Sequence, residues 1–269
     1  MATLPHEMIR EHTFNQFNLK SIDKKHIYAL IFGCSGSGKS YLTKDWLFQL
    51  AEDGYWKEYW LVSPTEHLSH SFGCFERDHV KDAFDEAWLM NLINERVQKI
   101  RAKESVKPCL IVIDDCAADA RIRHSPALNK LFISGRHLKI GCFLLLQNVN
   151  PGDSVPPALR ANATLLATAR PRKQKDRAYI VKEWFSMNSE REGEQVLLDL
   201  TSGDHNFAVA DLQKFAKAER LKDFISQYHA NKVPASFKLV SSGPAGGMRE
   251  STHGATKKAD VKVASLTFL

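Results

Sequence analysis

Residues 27–40 read Ile-Tyr-Ala-Leu-Ile-Phe-Gly-Cys-Ser-Gly-Ser-Gly-Lys-Ser, an apolar run that leads directly into a glycine-rich loop. The run Ile27–Phe32 predicts a β-strand that is buried on both faces. The segment Gly33–Ser40 matches the pattern G-x-x-x-x-G-K-[ST] in full, and a helix is predicted to follow over Lys39–Ala51. Glycines let such a loop curl so that its amides point inward, and the helix adds the positive end of its dipole. The stretch therefore predicts a phosphate-binding loop between a strand and a helix.

The end of this loop carries the side chains that would act on a nucleotide. Lys39 is expected to reach the β- and γ-phosphates of ATP, and the Ser40 hydroxyl is expected to coordinate Mg²⁺. The predicted ligands are therefore ATP and Mg²⁺. The predicted nucleotide-binding set is contiguous and consists of Gly33, Cys34, Ser35, Gly36, Ser37, Gly38, Lys39, Ser40 and Tyr41.

A second motif, Leu110–Asp115, is an apolar run that ends in two carboxylates. Ligands bind at the carboxyl ends of strands in open α/β sheets. Asp114 is therefore expected to hold Mg²⁺, and Asp115 to orient and polarise the attacking water. The alternative is a strand end capped by surface acids. Gln147 closes a further predicted strand, Cys142–Gln147, and its amide could bond both the γ-phosphate and water as a sensor of the nucleotide; a plain strand-end glutamine is the alternative.

The rest of the chain alternates short apolar runs with helical periodicity, which predicts an α/β protein with a mostly parallel central sheet flanked by helices. The stretch Phe84–Lys103 predicts a long amphipathic helix, because its apolar residues fall on one stripe. Further strands are predicted at Tyr59–Ser63, Cys109–Ile113, Thr164–Ala169 and Asn206–Ala210. Further helices are predicted at Leu128–Arg136, Gln174–Ser189, Glu190–Leu200 and Leu212–His229.

Composition supports a globular protein, since 43% of the 269 residues are hydrophobic and 25% are charged. We expect an N-terminal arm over 1–14, a P-loop ATPase domain over 15–240 and a flexible C-terminal tail over 241–269, where a Ser/Gly/Pro-rich stretch begins. The net charge of +6 is compatible with an anionic partner. The sequence shows neither a secretory leader nor a membrane span, and its five cysteines lack a CxxC pair, so an intracellular, reducing environment is expected.

Three stretches carry a resemblance to a known family. The segment Gly135–Gly141 reads Gly-Arg-His-Leu-Lys-Ile-Gly and enters an apolar strand, that strand ends at Gln147, and Pro156–Asn162 reads Pro-Pro-Ala-Leu-Arg-Ala-Asn. Together they resemble the FtsK–HerA superfamily of DNA-pumping ATPases, and most of all the poxvirus-type genome-packaging ATPases of double-stranded DNA viruses. The Asp-Asp end of the second motif looks like the viral branch, because cellular translocases usually carry Asp-Glu there. The resemblance covers roughly residues 27–169 and implies a RecA/FtsK-like sheet.

The resemblance implies a homo-oligomeric ring, a pentamer or hexamer, that hydrolyses ATP at its subunit interfaces and moves double-stranded DNA into a preformed capsid. Capsid vertex proteins would be further partners, and the host cytoplasm, the virus factory or the packaging vertex of the virion would be the location. Such rings need an arginine donated across the interface. Arg136 is the first candidate and Arg160 the second, with the anchoring of a helix end as the alternative role. Asn148 stands where cellular translocases often carry an arginine after the sensor glutamine.

A basic run from Arg170 to Arg177 could contact the phosphates of DNA, or it could form a solvated surface loop. Two other functions stay open at the level of the sequence. The first is a P-loop kinase that phosphorylates a small molecule or a nucleotide, which would need an acceptor pocket and usually an arginine-rich lid. The second is a regulatory P-loop protein without activity, for which an intact Lys39 and Asp115 would be superfluous.

Overall fold

The computed structural model describes residues 14–116, 122, 124–147, 155–185, 187 and 189–241, and within them a single sheet has helices on both faces. Its strands are β1 (Tyr28–Phe32), β2 (Glu58–Val62), β3 (Val80–Lys81), β4 (Cys109–Ile113), β5 (Ile140–Leu146), β6 (Leu165–Thr168), β7 (Asn206–Asp211) and β8 (Ile225–His229). The helices are α1 (Lys39–Asp53), α2 (Glu66–Ser69), α3 (Glu86–Arg101), α4 (Pro126–Ser134), α5 (Pro157–Asn162), α6 (Gln174–Ile180), α7 (Glu190–Leu200) and α8 (Leu212–Phe215). A π-helical turn, Val181–Phe185, extends α6, and 3-10 turns lie at Leu19–Ser21, Arg77–His79, Gly135–Leu138 and Leu221–Asp223.

The strand order is β3-β2-β4-β5-β1-β6-β7-β8. The strands from β3 to β6 in this order are parallel, whereas β7 runs antiparallel to both β6 and β8. The register therefore defines two edges of the parallel part. The carboxyl edge is marked by the last residues of neighbouring strands, Phe32, Ile113, Leu146 and Thr168, and the amino edge by the first, Tyr28, Cys109, Ile140 and Leu165.

The strand β1 is buried along its whole length, because helices cover both faces of the sheet. Side chains alternate between the faces along a strand. Accordingly Leu30 packs in one apolar core with α3 and α4, whereas Ile31 packs in the other with α1. This layered packing confirms the predicted α/β architecture with a mostly parallel sheet. Both cores hold the strands in register, so that Gly33, Asp114 and Gln147, which directly follow β1, β4 and β5, lie at the carboxyl edge.

One predicted element is wrong. The sequence analysis predicts a helix over Leu212–His229, and Leu221, Phe224, Ile225 and Tyr228 within it do have the spacing of one helical face. In the structure only α8 and a 3-10 turn are helical there, and β8 pairs antiparallel with β7. The pairing partner lies about twenty residues earlier in the chain, and the Tyr228 ring packs edge-on to Trp46 of α1. These tertiary contacts outweigh the local spacing.

Gly135, the first residue of the 3-10 turn, and Gly141, in β5, each lie where a side chain would collide with a neighbour. A Cβ at Gly135 would overlap the Tyr28 hydroxyl, and a Cβ at Gly141 would lie 2.6 Å from the Trp56 ring. Only glycine fits at either position without a shift of its neighbours, because real Cβ atoms keep longer distances than these to other atoms. The Gly-x₅-Gly spacing thus reflects the packing of the amino edge of β5.

Except for Phe14 and Ser241, the predicted N-terminal arm and C-terminal tail lie outside the described residues. The domain boundaries of 15–240 stay a prediction. None of the helices in the described part combines the length and apolarity that a membrane crossing requires.

Candidate nucleotide-binding site

The phosphate loop begins where β1 ends at the carboxyl edge. The Gly33 amide donates to the Leu146 carbonyl at 3.0 Å, which ties the start of the loop to β5. Gly36 and Gly38 have φ values of 74° and 89°, a left-handed backbone that glycine adopts at little cost. A Cβ at Gly33 would overlap Ser37 Oγ, so the loop closes tightly on itself. The sequence prediction of a curled loop between strand and helix is confirmed by this geometry.

Lys39 points back into the loop that it follows. Its Nζ donates to the Gly33 carbonyl at 2.6 Å and to the Cys34 carbonyl at 3.2 Å, and the residue is only 9% exposed. Burial lowers the pKa of this ammonium group, while the negative charge of Asp114 raises it again. Within the described part of the chain, the Ser37 hydroxyl oxygen is buried and has no hydrogen-bond partner. The loop thus presents a cation and an unused hydroxyl to an incoming anion, which fits a phosphate chain.

The two acids follow β4 in different environments. Asp114 is 9% exposed, and its amide donates to the Val62 carbonyl at 2.9 Å. Burial raises the pKa of its carboxyl to about 6, against the lowering effect of the Lys39 charge. Asp115 is more exposed and has a left-handed backbone with φ at 52°. A positive φ is uncommon for residues other than glycine, and it marks the sharp turn by which the chain leaves β4.

Gln147 meets Asp115 at the carboxyl edge. The Gln147 Nε2 donates to Asp115 Oδ1 at 2.6 Å, although 32 positions separate the two residues in sequence. This contact joins the strand-end glutamine to the second motif, as expected for residues that follow neighbouring parallel strands. Both line a cavity of about 390 Å³ that also contains Lys39 and Ser40.

The sequence reasoning missed three hydroxyl groups that line the same cavity, those of Thr65, Ser69 and Ser71. They follow β2, whose carboxyl end lies beside that of β4, since Val62 pairs with Ile113. The signal was available in the sequence, because polar residues after a buried parallel strand lie at the ligand-binding edge.

The two candidate arginines lie at the other edge of the sheet. Arg136 sits in the 3-10 turn before β5, is exposed, and donates from Nε to His137 Nε2 at 3.2 Å. Arg160 lies on α5, which precedes the start of β6, and donates from Nη1 to the Tyr179 hydroxyl at 2.6 Å. A strand of five residues spans about 17 Å at roughly 3.3 Å per residue, so neither guanidinium group joins the phosphate loop of its own chain.

The basic run is at the carboxyl edge, beside the phosphate loop. The Ala169 amide donates to the Phe32 carbonyl at 3.0 Å, so the residues that follow β6 start next to Gly33. Arg170 and Arg172 line a cavity of about 700 Å³ together with Gly36 and Gly38. The sequence left two roles open for this run, a contact with DNA phosphates or a solvated surface loop, and its position beside the nucleotide site was not predicted.

A family model supplies the relationship that the motifs suggested. The model described as "Poxvirus A32 protein" matches residues 14–191, which is more than half of the chain and includes the phosphate loop, both acids and Gln147. The chain belongs to the poxvirus A32 protein family. This membership confirms the resemblance to poxvirus-type ATPases that Gly135–Gly141 and Gln147 indicated.

A curated relative covers a smaller part. The uncharacterized protein 075L of Invertebrate iridescent virus 6 is 30% identical over 142 residues, which is 49% of this chain and 50% of that protein. The chain therefore spans about half the length of the curated relative that it matches.

Solved structures show the same fold. The genome packaging NTPase B204 of Sulfolobus turreted icosahedral virus 2, in complex with ATPγS, superposes with a TM-score of 0.53 at 16% identity and covers 76% of this chain and 96% of B204. The pCW3 conjugation coupling protein TcpA, also with ATPγS, gives a TM-score of 0.53 at 15% identity over 77% of this chain and 60% of TcpA. At such identities the similarity concerns the fold, and it confirms the P-loop architecture.

Proposed function

We propose that this chain is an ATP-hydrolysing motor that packages double-stranded viral DNA into a preformed capsid. The observation that carries the proposal is the meeting of Lys39, Asp114 and the Gln147-bonded Asp115 around one cavity, in a chain of the poxvirus A32 family. The related fold of B204 supports it, since that protein is described as a genome packaging NTPase and was solved with ATPγS. The family match favours this motor over a P-loop kinase.

ATP binds with its phosphates along the loop Gly33–Ser40. Lys39 then exchanges the neutral carbonyls of Gly33 and Cys34 for phosphate oxygens, and the negative charge of the new acceptors adds an ion-pair attraction to the hydrogen bonds. Asp115 accepts a proton from the attacking water and orients it toward the γ-phosphate. Gln147 holds this carboxylate, and its amide senses whether the γ-phosphate is present.

The oxygen donors Ser40 and Asp114 suit Mg²⁺, a hard cation that prefers carboxylates, hydroxyls and phosphates. Burial raises the pKa of Asp114, so a cation at this carboxylate would stabilise its charged form. When bound, the ion supplies positive charge against the phosphate oxygens.

Arg136 is our first candidate for the arginine that acts on the ATP of a neighbouring subunit. It is exposed at the amino edge, whereas Arg160 is half-buried and held by Tyr179 and, at 3.4 Å, by Glu183. Because both lie across the sheet from the phosphate loop of their own chain, either can contribute to hydrolysis only in an oligomer. A homo-oligomeric ring around DNA satisfies this requirement.

The proposal is tested by ATP hydrolysis with and without double-stranded DNA. We expect DNA to stimulate the wild-type rate, and Lys39→Ala and Asp115→Asn to abolish it. Lys25→Ala is the matched control, since Lys25 is an exposed lysine before β1 and outside the site. An active monomer that is indifferent to DNA, or faster phosphoryl transfer to a small-molecule acceptor than to water, would overturn the proposal.

The arginine is tested by mixing two inactive variants. Lys39→Ala subunits keep Arg136, and Arg136→Ala subunits keep the phosphate loop, so a mixed oligomer contains interfaces that hold both groups. We expect each variant alone to be inactive and the mixture to recover part of the activity. Recovery with Arg160→Ala instead of Arg136→Ala would transfer the role to Arg160, and recovery with neither would exclude both.

A further inference from the structure

The phosphate loop separates two cavities, and the proposed function uses only the smaller. The larger one, of about 700 Å³, lies on the side of β6 and β7 and shares Cys34, Gly36, Ser37 and Gly38 with the loop. Its far wall is the turn Gly203–Asn206 between α7 and β7. A triphosphate that lies along the loop has its γ-phosphate near Asp115, in the smaller cavity, so its other end leads into the larger one.

The turn Gly203–Asn206 packs directly on the loop. Gly203 and His205 have positive φ values of 83° and 58°, so the chain turns sharply before it enters β7. A Cβ added at Gly38 would lie 3.5 Å from His205 Nδ1. The His205 ring stacks on that of Tyr41, with centroids 4.1 Å apart and planes 17° from parallel. His205 is thus a flat, exposed ring, supported from behind by α1, at the wall of the larger cavity.

The basic run supplies charge to the same cavity. Among the described residues, the guanidinium groups of Arg170 and Arg172 have no hydrogen-bond or ion-pair partner, and both are exposed. Arg177 holds this segment in place, because its Nη1 donates to the Pro171 and Arg172 carbonyls at 3.4 and 3.3 Å and its Nε to Glu194 at 3.1 Å. The loop that carries the two free arginines is therefore tied to α7.

We propose that the larger cavity binds the nucleoside end of the nucleotide, with the purine base on the His205 ring and with Arg170 and Arg172 against the adjoining phosphate oxygens. This inference rests on the proposed function and adds a base-binding subsite to it. An aromatic ring that is already backed by Tyr41 offers its free face to a base, since offset stacking of flat rings is favourable. The two arginines then act on the nucleotide rather than on DNA, because they converge on the phosphate loop.

The base platform is tested by comparing a non-hydrolysable ATP analogue with inorganic tripolyphosphate, each titrated calorimetrically with Mg²⁺. His205→Asn removes the ring, and asparagine readily adopts the left-handed backbone that this position requires. We expect this variant to bind the analogue roughly three- to ten-fold more weakly and to bind tripolyphosphate with unchanged affinity. If the variant lost the same factor of affinity for both ligands, or lost none for either, His205 would not be the base-binding residue, although the phosphate site would still be supported. If neither ligand binds the wild-type chain, the proposed function fails and this inference fails with it.

The arginines are tested with Arg170→Ala/Arg172→Ala beside Arg191→Ala, an exposed arginine of α7 outside the cavity. We expect the double variant to bind the ATP analogue about ten-fold more weakly and to keep its affinity for double-stranded DNA at fixed salt. The control should change neither affinity. Loss of DNA affinity with unchanged nucleotide affinity would overturn the assignment and favour a DNA-contacting run. Thermal unfolding without nucleotide checks that each variant is folded.

Discussion

The buried carboxylate of Asp45 supports a prediction that can be worked through from its contacts. Asp45 lies on α1 and is 2% exposed. Its Oδ2 accepts from the Tyr228 hydroxyl and the Asn231 amide, both at 2.7 Å, and its Oδ1 accepts from Gln49 Nε2 at 2.9 Å. Burial, followed by the hydrogen bond to Asp45 and then by the Asp45 charge, raises the pKa of the Tyr228 phenol, so this hydroxyl remains a donor. One side chain thus joins the helix that follows the phosphate loop to β8.

Asp45→Ala removes the acceptor of four donor groups, since the Asn231 side-chain Nδ2 also donates to Oδ2 at 3.3 Å. A hydrogen bond to a charged group contributes roughly 1.5–3 kcal/mol, but bonds that share one acceptor are not additive, so we expect a loss of about 4 kcal/mol. In a protein of this size that corresponds to a fall in Tm of about 10 °C. Tyr228→Phe removes one of these donors and leaves the other three, so its cost should be about 1.5 kcal/mol.

The assay is thermal and urea unfolding of both variants and of Asp45→Asn, which keeps one carbonyl acceptor and should fall between them. The reasoning would be refuted if Asp45→Ala lowered Tm by less than about 2 °C. It would also be refuted if Tyr228→Phe cost as much as Asp45→Ala, because the tyrosine would then act through packing alone.

Three further outcomes are expected. Gly141→Ala should destabilise the fold by about 1–3 kcal/mol through overpacking, because its Cβ would meet the Trp56 ring at 2.6 Å; urea unfolding checks this. Gln147→Ala should lower kcat about ten-fold with little change in KM, since it removes the amide that orients the catalytic carboxylate; steady-state ATP hydrolysis measures both constants. Cys34, partly exposed in the phosphate loop, should be the cysteine that iodoacetamide modifies first at pH 8, and ATP should protect it. The other four thiols are buried, and burial raises the pKa of Cys74 to about 11, so its labelling should become faster only as the pH rises toward that value.

The part of the site that could be predicted from sequence is the part built from strand ends. Lys39 follows β1, Asp115 follows β4 and Gln147 follows β5, and parallel neighbours bring their carboxyl ends together whatever the loops between them do. Local motifs and the rule for parallel sheets therefore sufficed to predict that these side chains lie at one edge, whereas the Asp115–Gln147 hydrogen bond, across 32 positions, was not predicted.

The part that could not be predicted depends on long-range pairing. The sequence of β8 has helix-like spacing, and its strand form follows from its neighbour β7 and from the Asp45–Tyr228 bond, 183 positions apart. The turn Gly203–Asn206 carries no motif, and its position beside Gly38 follows from the antiparallel return of β7 along β6. Neither contact leaves a periodic signal in the residues that make it.

These two unpredicted contacts act on the same helix. Tyr41, in the first turn of α1, stacks on His205, and Asp45, one turn further along, bonds Tyr228 and Asn231. The phosphate loop ends where α1 begins, so the orientation of Lys39 and Ser40 depends on how α1 is held. The family match ends at residue 191, before both contacts. The segment from His205 to Asn231 therefore belongs to the framework of the nucleotide site, and a chain cut after α7 would keep every recognisable motif while losing these two contacts of α1.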